Sequence, residues 1–476
     1  MVSVRQRSNR LPPDNLDPLT VALRPPPGET PDERAARLRE GANAKAISDK
    51  IDEQIRLERE EINQRKKNGD VKILLLGQSE SGKSTTIKNF QMLYSPQAWR
   101  QEHISWRAVI YLNLVLPDAK SPLFCSRPIH SRSVGPTPTP RLAPLTQVET
   151  LLIRALSPEN PTESDFEATH LGTNQPDLLG RTKAEVFVSA SRWRNTLKSK
   201  MSKGSLSSID VPNASTSSES GGHPVNKPDI VGILRTCRQD MLDLWNDPLV
   251  QNILTKRRVR PQDSSGFFLN DISRLMERDY LPTDQDVLNA RLKTLGSSEH
   301  VFRVDRGSEK GINWTVYDVG GARNQRHVWT SFFDNVDSII FLAPISAFNQ
   351  VLSEDPSVNR IADSLLLFRA ICGNKLLQKV NIVLFLNKVD LLQAKLGSGI
   401  QLKKYMLSYG DKPNDLENAC KYFKSKFGAA FRELSDVDRE LYIHFTTMND
   451  PKSTSSIINN VREMILRKAL HKSSLI

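Results

Sequence analysis

The sequence predicts an α/β fold, a mostly parallel sheet flanked by helices, interrupted by an inserted all-helical domain. Three observations carry this. Residues 71–86 read as a buried strand, a glycine loop and the start of a helix. Residues 95 to about 285 have helix-like apolar spacing, and from Ser298 continuous apolar runs alternate with helical segments. Alternation of that kind argues for a sheet with right-handed crossovers. At 476 residues the chain also exceeds one ordinary domain.

Residues 1–34 are rich in Pro, Arg and Asn and read as an unstructured N-terminus. Residues 35–68 read as a charged helix, with Ala42, Ala46, Ile47, Ile51, Ile55 and Leu57 approximating one stripe. It is too polar for a core element, so the stripe is either solvated or meets a partner. The α/β domain is assigned to 69–95 and 290–476. The helical domain takes 96–289, with low-complexity insertions at about 117–147 and 198–228. Thr146–Leu156 and Ile230–Trp245 are its clearest helices. In the returning α/β part, His300–Arg306 and Gly311–Tyr317 are short strands. Ser338–Ala343 and Asn381–Leu386 are buried parallel strands. Val358–Cys372 and Leu416–Phe431 are helices, and Ile443–Thr446 is a last strand before a terminal helix, Ser455–His471.

The net charge of +12 comes from scattered basic residues, many in Ser/Pro-rich segments, so nucleic acid is not expected as a partner. The four cysteines (Cys125, Cys237, Cys372, Cys420) include no CxxC pair, which indicates neither a disulfide framework nor a zinc site. They fit a reducing compartment. No apolar run approaches membrane-spanning length and the N-terminus lacks a signal-peptide core, so a cytoplasmic protein is expected.

Four motifs carry chemistry. Gly77, Gly82, Lys83 and Ser84 satisfy the phosphate-loop pattern G-x-x-x-x-G-K-[ST]. Glycines let backbone N–H groups converge on phosphate oxygens at the positive end of a helix. Lys83 adds charge for the β and γ phosphates, and the Ser84 hydroxyl suits Mg²⁺. Asp318-Val319-Gly320-Gly321 follows a strand; the acid can hold Mg²⁺ through a water, and a glycine N–H can meet a γ-phosphate. Alone, that pattern is more often a turn. Asn387-Lys388-Val389-Asp390 also follows a strand: Asp390 can accept from two guanine donors, Lys388 can lie along the base, and Asn387 can tie this loop to the phosphate loop. By itself it would be read as a polar turn. Arg291 and Thr294 lie where the helical insertion ends; the arginine could reach a γ-phosphate and the threonine could complete the Mg²⁺ shell. Without the other motifs this stretch is an exposed basic linker.

In this order, around a helical insertion, the motifs closely resemble heterotrimeric G-protein α subunits, from about Ala42 to the C-terminus excluding the two insertions. Leu244–Gln251, Tyr280–Asp286, Phe385–Asp390 and Leu441–Thr446 add to the likeness. The resemblance implies a Ras-like GTPase domain with a helical lid, binding GTP or GDP with Mg²⁺ between them. It makes Arg291 the catalytic arginine and Glu80 the acid that pairs with it. Ser84 and Thr294 become Mg²⁺ ligands beside Asp318, and Gly321 the γ-phosphate sensor. The implied nucleotide contacts also include Gly77, Ser81, Gly82, Lys83, Thr85, Asp263, Ser264, Leu288, Asn387, Lys388, Asp390 and Met448. The N-terminal helix would bind a βγ dimer, together with the switch region, and the C-terminal helix a seven-helix receptor; no effector is indicated.

The chain departs from the family's pattern in ways that bear on turnover. Ala322 stands where the family has the glutamine that orients the attacking water, and Ser79 where the loop usually has glycine. Both changes spare the phosphate and guanine contacts, so slow GTP hydrolysis is expected, by ~10²-fold or more. Gln325, three residues on, is a weaker candidate for the lost role. Thr446-Thr447-Met448 replaces the family's Thr-Cys-Ala, and the larger Met448 side chain is expected to speed nucleotide release. The chain begins Met1-Val2-Ser3, without the myristoylation motif, and no cysteine precedes Cys125, so attachment to the inner face of the plasma membrane would come from a partner or from basic surface. The ending Ser-Ser-Leu-Ile differs from the usual Cys-Gly-Leu-Phe type. A non-hydrolysing GTP-bound scaffold is the main alternative. A phosphoryl-transfer enzyme or ATPase is disfavoured by Asn387–Asp390.

Overall fold

The computed structural model describes residues 28–67, 70–115, 142–156, 187–189, 229–256, 261–295, 297–303, 312–352, 355–435, 439–447, 450, 454–459 and 461–462. Contacts divide the chain into two units, Met1–Asn68 and Gly69–Ile476.

Among its described residues the first unit holds one helix, α1 (Pro31–Lys67). It starts earlier than its composition suggests, because Thr30 and Glu33 cap it reciprocally. The Glu33 N–H donates to Thr30 Oγ1 at 3.3 Å, and the Thr30 N–H donates to Glu33 Oε2 at 2.9 Å. Leu38, Ile47, Ile51, Ile55 and Leu57 are exposed along it.

In the second unit, β1 (Val71–Gly77) leads through the phosphate loop into α2 (Lys83–Tyr94), and then into α3 (Pro96–Val115) and α4 (Pro144–Leu156). A short strand β2 (Phe187–Ser189) follows, then α5 (Ile230–Thr236), α6 (Arg238–Asn246), α7 (Pro248–Lys256), α8 (Ile272–Leu275) and α9 (Asp284–Asn289). The sheet resumes with β3 (Lys293–Leu295), β4 (Ser297–Arg303), β5 (Asn313–Val319) and β6 (Ser338–Pro344). Next come α10 (Arg360–Cys372), β7 (Asn381–Asn387), α11 (Val389–Gly397), α12 (Leu416–Leu434) and β8 (Leu441–Thr446). Residues 454–459 and 461–462 are helical; the rest of the expected terminal helix to His471 lies outside the described residues.

The main sheet has six strands in the order β4-β5-β1-β6-β7-β8. All neighbours are parallel except the edge pair β4–β5. Every residue of β6 and β7 is buried, as strands covered on both faces require. Alternation divides β1 between two cores. Leu74 and Leu76 join Phe341, Phe368 and Phe427, while Ile73 and Leu75 join Phe90, Trp314 and Val461. A third core, built on α3 with Val109, Leu152, Ile272 and Leu288, gathers the helices between α2 and β3.

The mixed sheet and the separate helical core agree with the Ras-like and helical architecture. One element does not. The stretch read as all-helical contains β2, which pairs in parallel with β3, residue Val188 opposite Thr294. Three residues of Phe, Val and Ser favour a strand but are too few to show a period. Helix α10 also begins two residues later than expected, because the Asn359 side chain caps it, accepting from the N–H groups of Ile361 and Ala362.

Candidate functional site

The parallel strands deliver their carboxyl ends to one edge of the sheet, where open α/β folds bind ligands. Gly77 ends β1, Asp318 lies near the end of β5, Asn387 ends β7, and Thr446 ends β8 opposite Asn387.

The phosphate loop packs too tightly for side chains at its glycines. A Cβ on Gly77 would lie 2.5 Å from the Leu342 carbonyl oxygen, and one on Gly82 would collide with the Asn387 amide. Both residues have positive φ, 145° and 107°. Glu80 adopts φ 60° in the same loop, and Lys388 φ 65° in the facing one, conformations that cost an L residue about 1 kcal/mol or more. Lys83 lies back across the loop and donates to the carbonyls of Gly77 and Gln78, both at 2.9 Å. Burial lowers its pKa to about 8, with Asp318 working the other way. Ser84 donates to Asp318 Oδ2 at 3.1 Å, and burial of that carboxyl raises its pKa against Lys83 and Ser84. Ser81 Oγ is buried and has no hydrogen-bond partner among the described residues.

Asn387 joins two loops. Its amide donates to the Ser81 carbonyl at 2.7 Å, and its oxygen accepts from Thr446 Oγ1 at 3.0 Å. Lys388 is half-buried, and Asp390 is exposed in the first turn of α11. Met448 lies outside the described residues.

Two arginines meet at Glu80. Arg291 Nη2 lies 2.7 Å from Oε1, and Arg360 Nη1 3.1 Å from Oε2. Arg360 also donates to the Ser79 carbonyl at 2.7 Å. Backbone and side chain of Arg291 are held by different elements, since Asn113 of α3 bonds both its N–H and its carbonyl. Ser264 lies in the short turn that leads to Gly266, where a Cβ would sit 2.9 Å from Arg291 Cβ. The side chains of Asp263 and Thr294 lie outside the described residues; the backbone of Thr294 is the centre of β3. Leu288 spends its side chain in the helical core, which leaves only its backbone for a nucleotide. Thr85 is half-buried in the first turn of α2 and its carbonyl accepts from Asn89.

Gly321 presses against the loop: a Cβ there would lie 2.5 Å from both the Gln78 carbonyl carbon and Lys83 Nζ. Ala322 follows, half-buried, with only a methyl group to offer. Gln325 folds back against Gly320.

No motif pointed to the residues behind this arrangement. Asp363 of α10 accepts from Gln78 at 2.5 Å, from Arg326 at 2.7 Å and from Arg323 at 3.2 Å. Arg326 also reaches the Gly321 carbonyl at 3.3 Å. Lys88 of α2, buried, donates to the carbonyls of Val287 and Ala290 at 2.8 and 2.6 Å and lies over the Trp106 ring. In a helix that already carries Lys83, Thr86, Asn89 and Gln91, nothing in the sequence singled out Lys88. The same holds for Asp363.

Among the described residues no group of three or more His, Cys, Asp or Glu is placed to hold a metal. One hydroxyl and one buried carboxylate beside a phosphate cradle are nevertheless what Mg²⁺ uses, since it takes one or two carboxylates plus phosphates and keeps its waters.

The chain matches the family model described as G-protein alpha subunit over residues 45–465. It is 31% identical to the guanine nucleotide-binding protein alpha-4 subunit of Mycosarcoma maydis, covering 97% of this chain and 96% of that protein. It is 28% identical to the guanine nucleotide-binding protein G(o) subunit alpha of Geodia cydonium (94% and 98% covered). To a guanine nucleotide-binding protein subunit alpha of Emericella nidulans it is 29% identical (92% and 98%).

Proposed function

The chain belongs to the G-protein α-subunit family, and from that premise we propose that it is a GTP/GDP switch that hydrolyses GTP slowly. Family members bind guanine nucleotides, typically with Mg²⁺, and are GTPases. One observation supports the reading most: the Ser81–Asn387–Thr446 chain of hydrogen bonds ties the phosphate loop to the base-reading loop. Both ends of a guanine nucleotide are thereby provided for on one rigid edge.

Lys83 and the loop N–H groups would bind the β and γ phosphates, and Asp390 the guanine edge. Ser84, Thr294 and, through water, Asp318 would hold Mg²⁺, which would neutralise charge on the phosphates. Arg291 is kept within reach of the γ-phosphate position by Glu80 and would swing from that acid to the phosphate. At Ala322 nothing aims the water, so the chemical step is slow. The exposed stripe of α1 suits a βγ dimer, and the C-terminal helix would face a seven-helix receptor. No described helix is long and apolar enough to cross a membrane.

A second reading, a GTP-bound scaffold that does not switch, gains support from Asp363, which ties Arg323 and Arg326 of the segment after Gly321 to α10. Labelled GTP binding against excess ATP, with single-turnover hydrolysis on the same sample, tests both. Binding that resists ATP with slow turnover supports the first reading; competition by ATP, or turnover at the rate of glutamine-bearing members, overturns it. Partner binding that is identical with GDP and GTP would favour the scaffold.

A further inference from the structure

We propose that β2 is a built-in positioning strand for the segment carrying Arg291 and Thr294, holding it ordered whether or not a γ-phosphate is present. This rests on the nucleotide reading above and adds a means of control to the same site.

Three anchors act in succession on the chain that leaves the helical core. Lys88 takes the carbonyls of Val287 and Ala290. Asn113 takes both backbone groups of Arg291. Phe187–Ser189 then pairs with Lys293–Leu295, in the register Phe187↔Lys293, Val188↔Thr294 and Ser189↔Leu295. The first two anchors are side chains on α2 and α3; the third is a backbone ladder supplied from a different part of the sequence. It falls on the residues whose order would otherwise depend on contacts to the γ-phosphate and Mg²⁺.

A ligand shifts a two-state segment only by the difference in its affinity for the two states. Ladder bonds that already favour the ordered state leave the γ-phosphate less to add. Among the described residues the pair forms a two-stranded parallel sheet, and such sheets are marginal by themselves. The ladder is therefore an equilibrium contact that can open, and its opening would release Thr294.

The test uses the full chain and a variant with Phe187→Pro, Val188→Pro and Ser189→Pro together, which removes every N–H the strand could donate. Val188→Gly, which weakens the strand without imposing a new backbone angle, is the companion should the prolines impair folding. Hydrogen exchange of the amides in 293–295 is read without nucleotide, with GDP, and with a non-hydrolysable GTP analogue plus Mg²⁺; labelled GDP release is timed in parallel. The native chain should show similar protection in all three states. The variants should lose about tenfold protection without nucleotide and with GDP, the worth of one or two net hydrogen bonds, and regain it with the analogue. GDP release should quicken by a similar factor. Protection in the native chain that arises only with the analogue, or protection unchanged in both variants, overturns the proposal. A chain that takes up no guanine nucleotide defeats the functional reading instead, and the nucleotide-free exchange still decides whether the strand orders the segment.

Discussion

The side-chain amide of Asn113 closes on both backbone groups of Arg291, accepting from its N–H at 2.7 Å and donating to its carbonyl at 2.8 Å. A helix of the helical core thereby fixes where an arginine at the nucleotide edge begins. Replacing Asn113 by Ala should slow single-turnover GTP hydrolysis about tenfold or more, since small misplacements of reacting groups are costly. Circular dichroism should be unchanged. A normal rate would show that Asn113 is not needed to position Arg291.

Ala322 is expected to respond in the opposite direction. Ala322→Gln restores a water-orienting amide directly after Gly321 and should raise the single-turnover rate by ~10²-fold. GTP affinity should stay within a few fold. An unchanged rate would place the slow step elsewhere.

Asp363 should prove to be the hold on the segment after Gly321. Burial works to raise its carboxyl, but hydrogen bonds from Arg326 and Gln78 outweigh that and keep it below the usual carboxylate range. Asp363→Asn leaves those donors poorly matched and should cost roughly 1–3 kcal/mol in thermal unfolding. Trypsin should then cut more readily after Arg323 and Arg326. Equal cleavage in both proteins would remove Asp363 from this role.

Lys388 gives a pH dependence with a definite sign. Burial, and then the Arg360 charge, lowers its pKa to about 8, with Glu80 opposing. In the unfolded chain the group titrates near 10.4. Below about 8 both states are charged and the burial penalty is constant. Between about 8 and 10.4 the unfolded chain binds the extra proton, so this lysine's contribution favours folding increasingly as pH rises. Nucleotide-free Lys388→Met should therefore be more stable than the native chain at pH 7, by about 1–3 kcal/mol, and the gap should close by pH 10. A gap independent of pH would rule out this titration.

Much of the sheet was legible because its central strands are continuous apolar runs with glycine or polar breaks at their carboxyl ends. Gly77, Asp318 and Asn387 stand at those breaks, so the motif positions and the strand ends located one another. Other relationships were illegible for a physical reason. Asp363, Asn113 and Lys88 act through partners 285, 178 and 199 residues away in sequence, and nothing local marks such a pairing. Strand β2 was missed because three residues cannot display a repeat. Its meaning comes wholly from the chain it lies beside.

Lys88 limits how far this molecule can be dissected. Its ammonium is buried on the Ras-like side, yet the two carbonyls and the indole ring that receive it all belong to residues 106–290. Excising the helical half would take both carbonyls and the ring away from Lys88 and open that face of α2 to water. A GTP-binding fragment of this chain should therefore lose stability through the severed contacts of α2 rather than through a trapped charge.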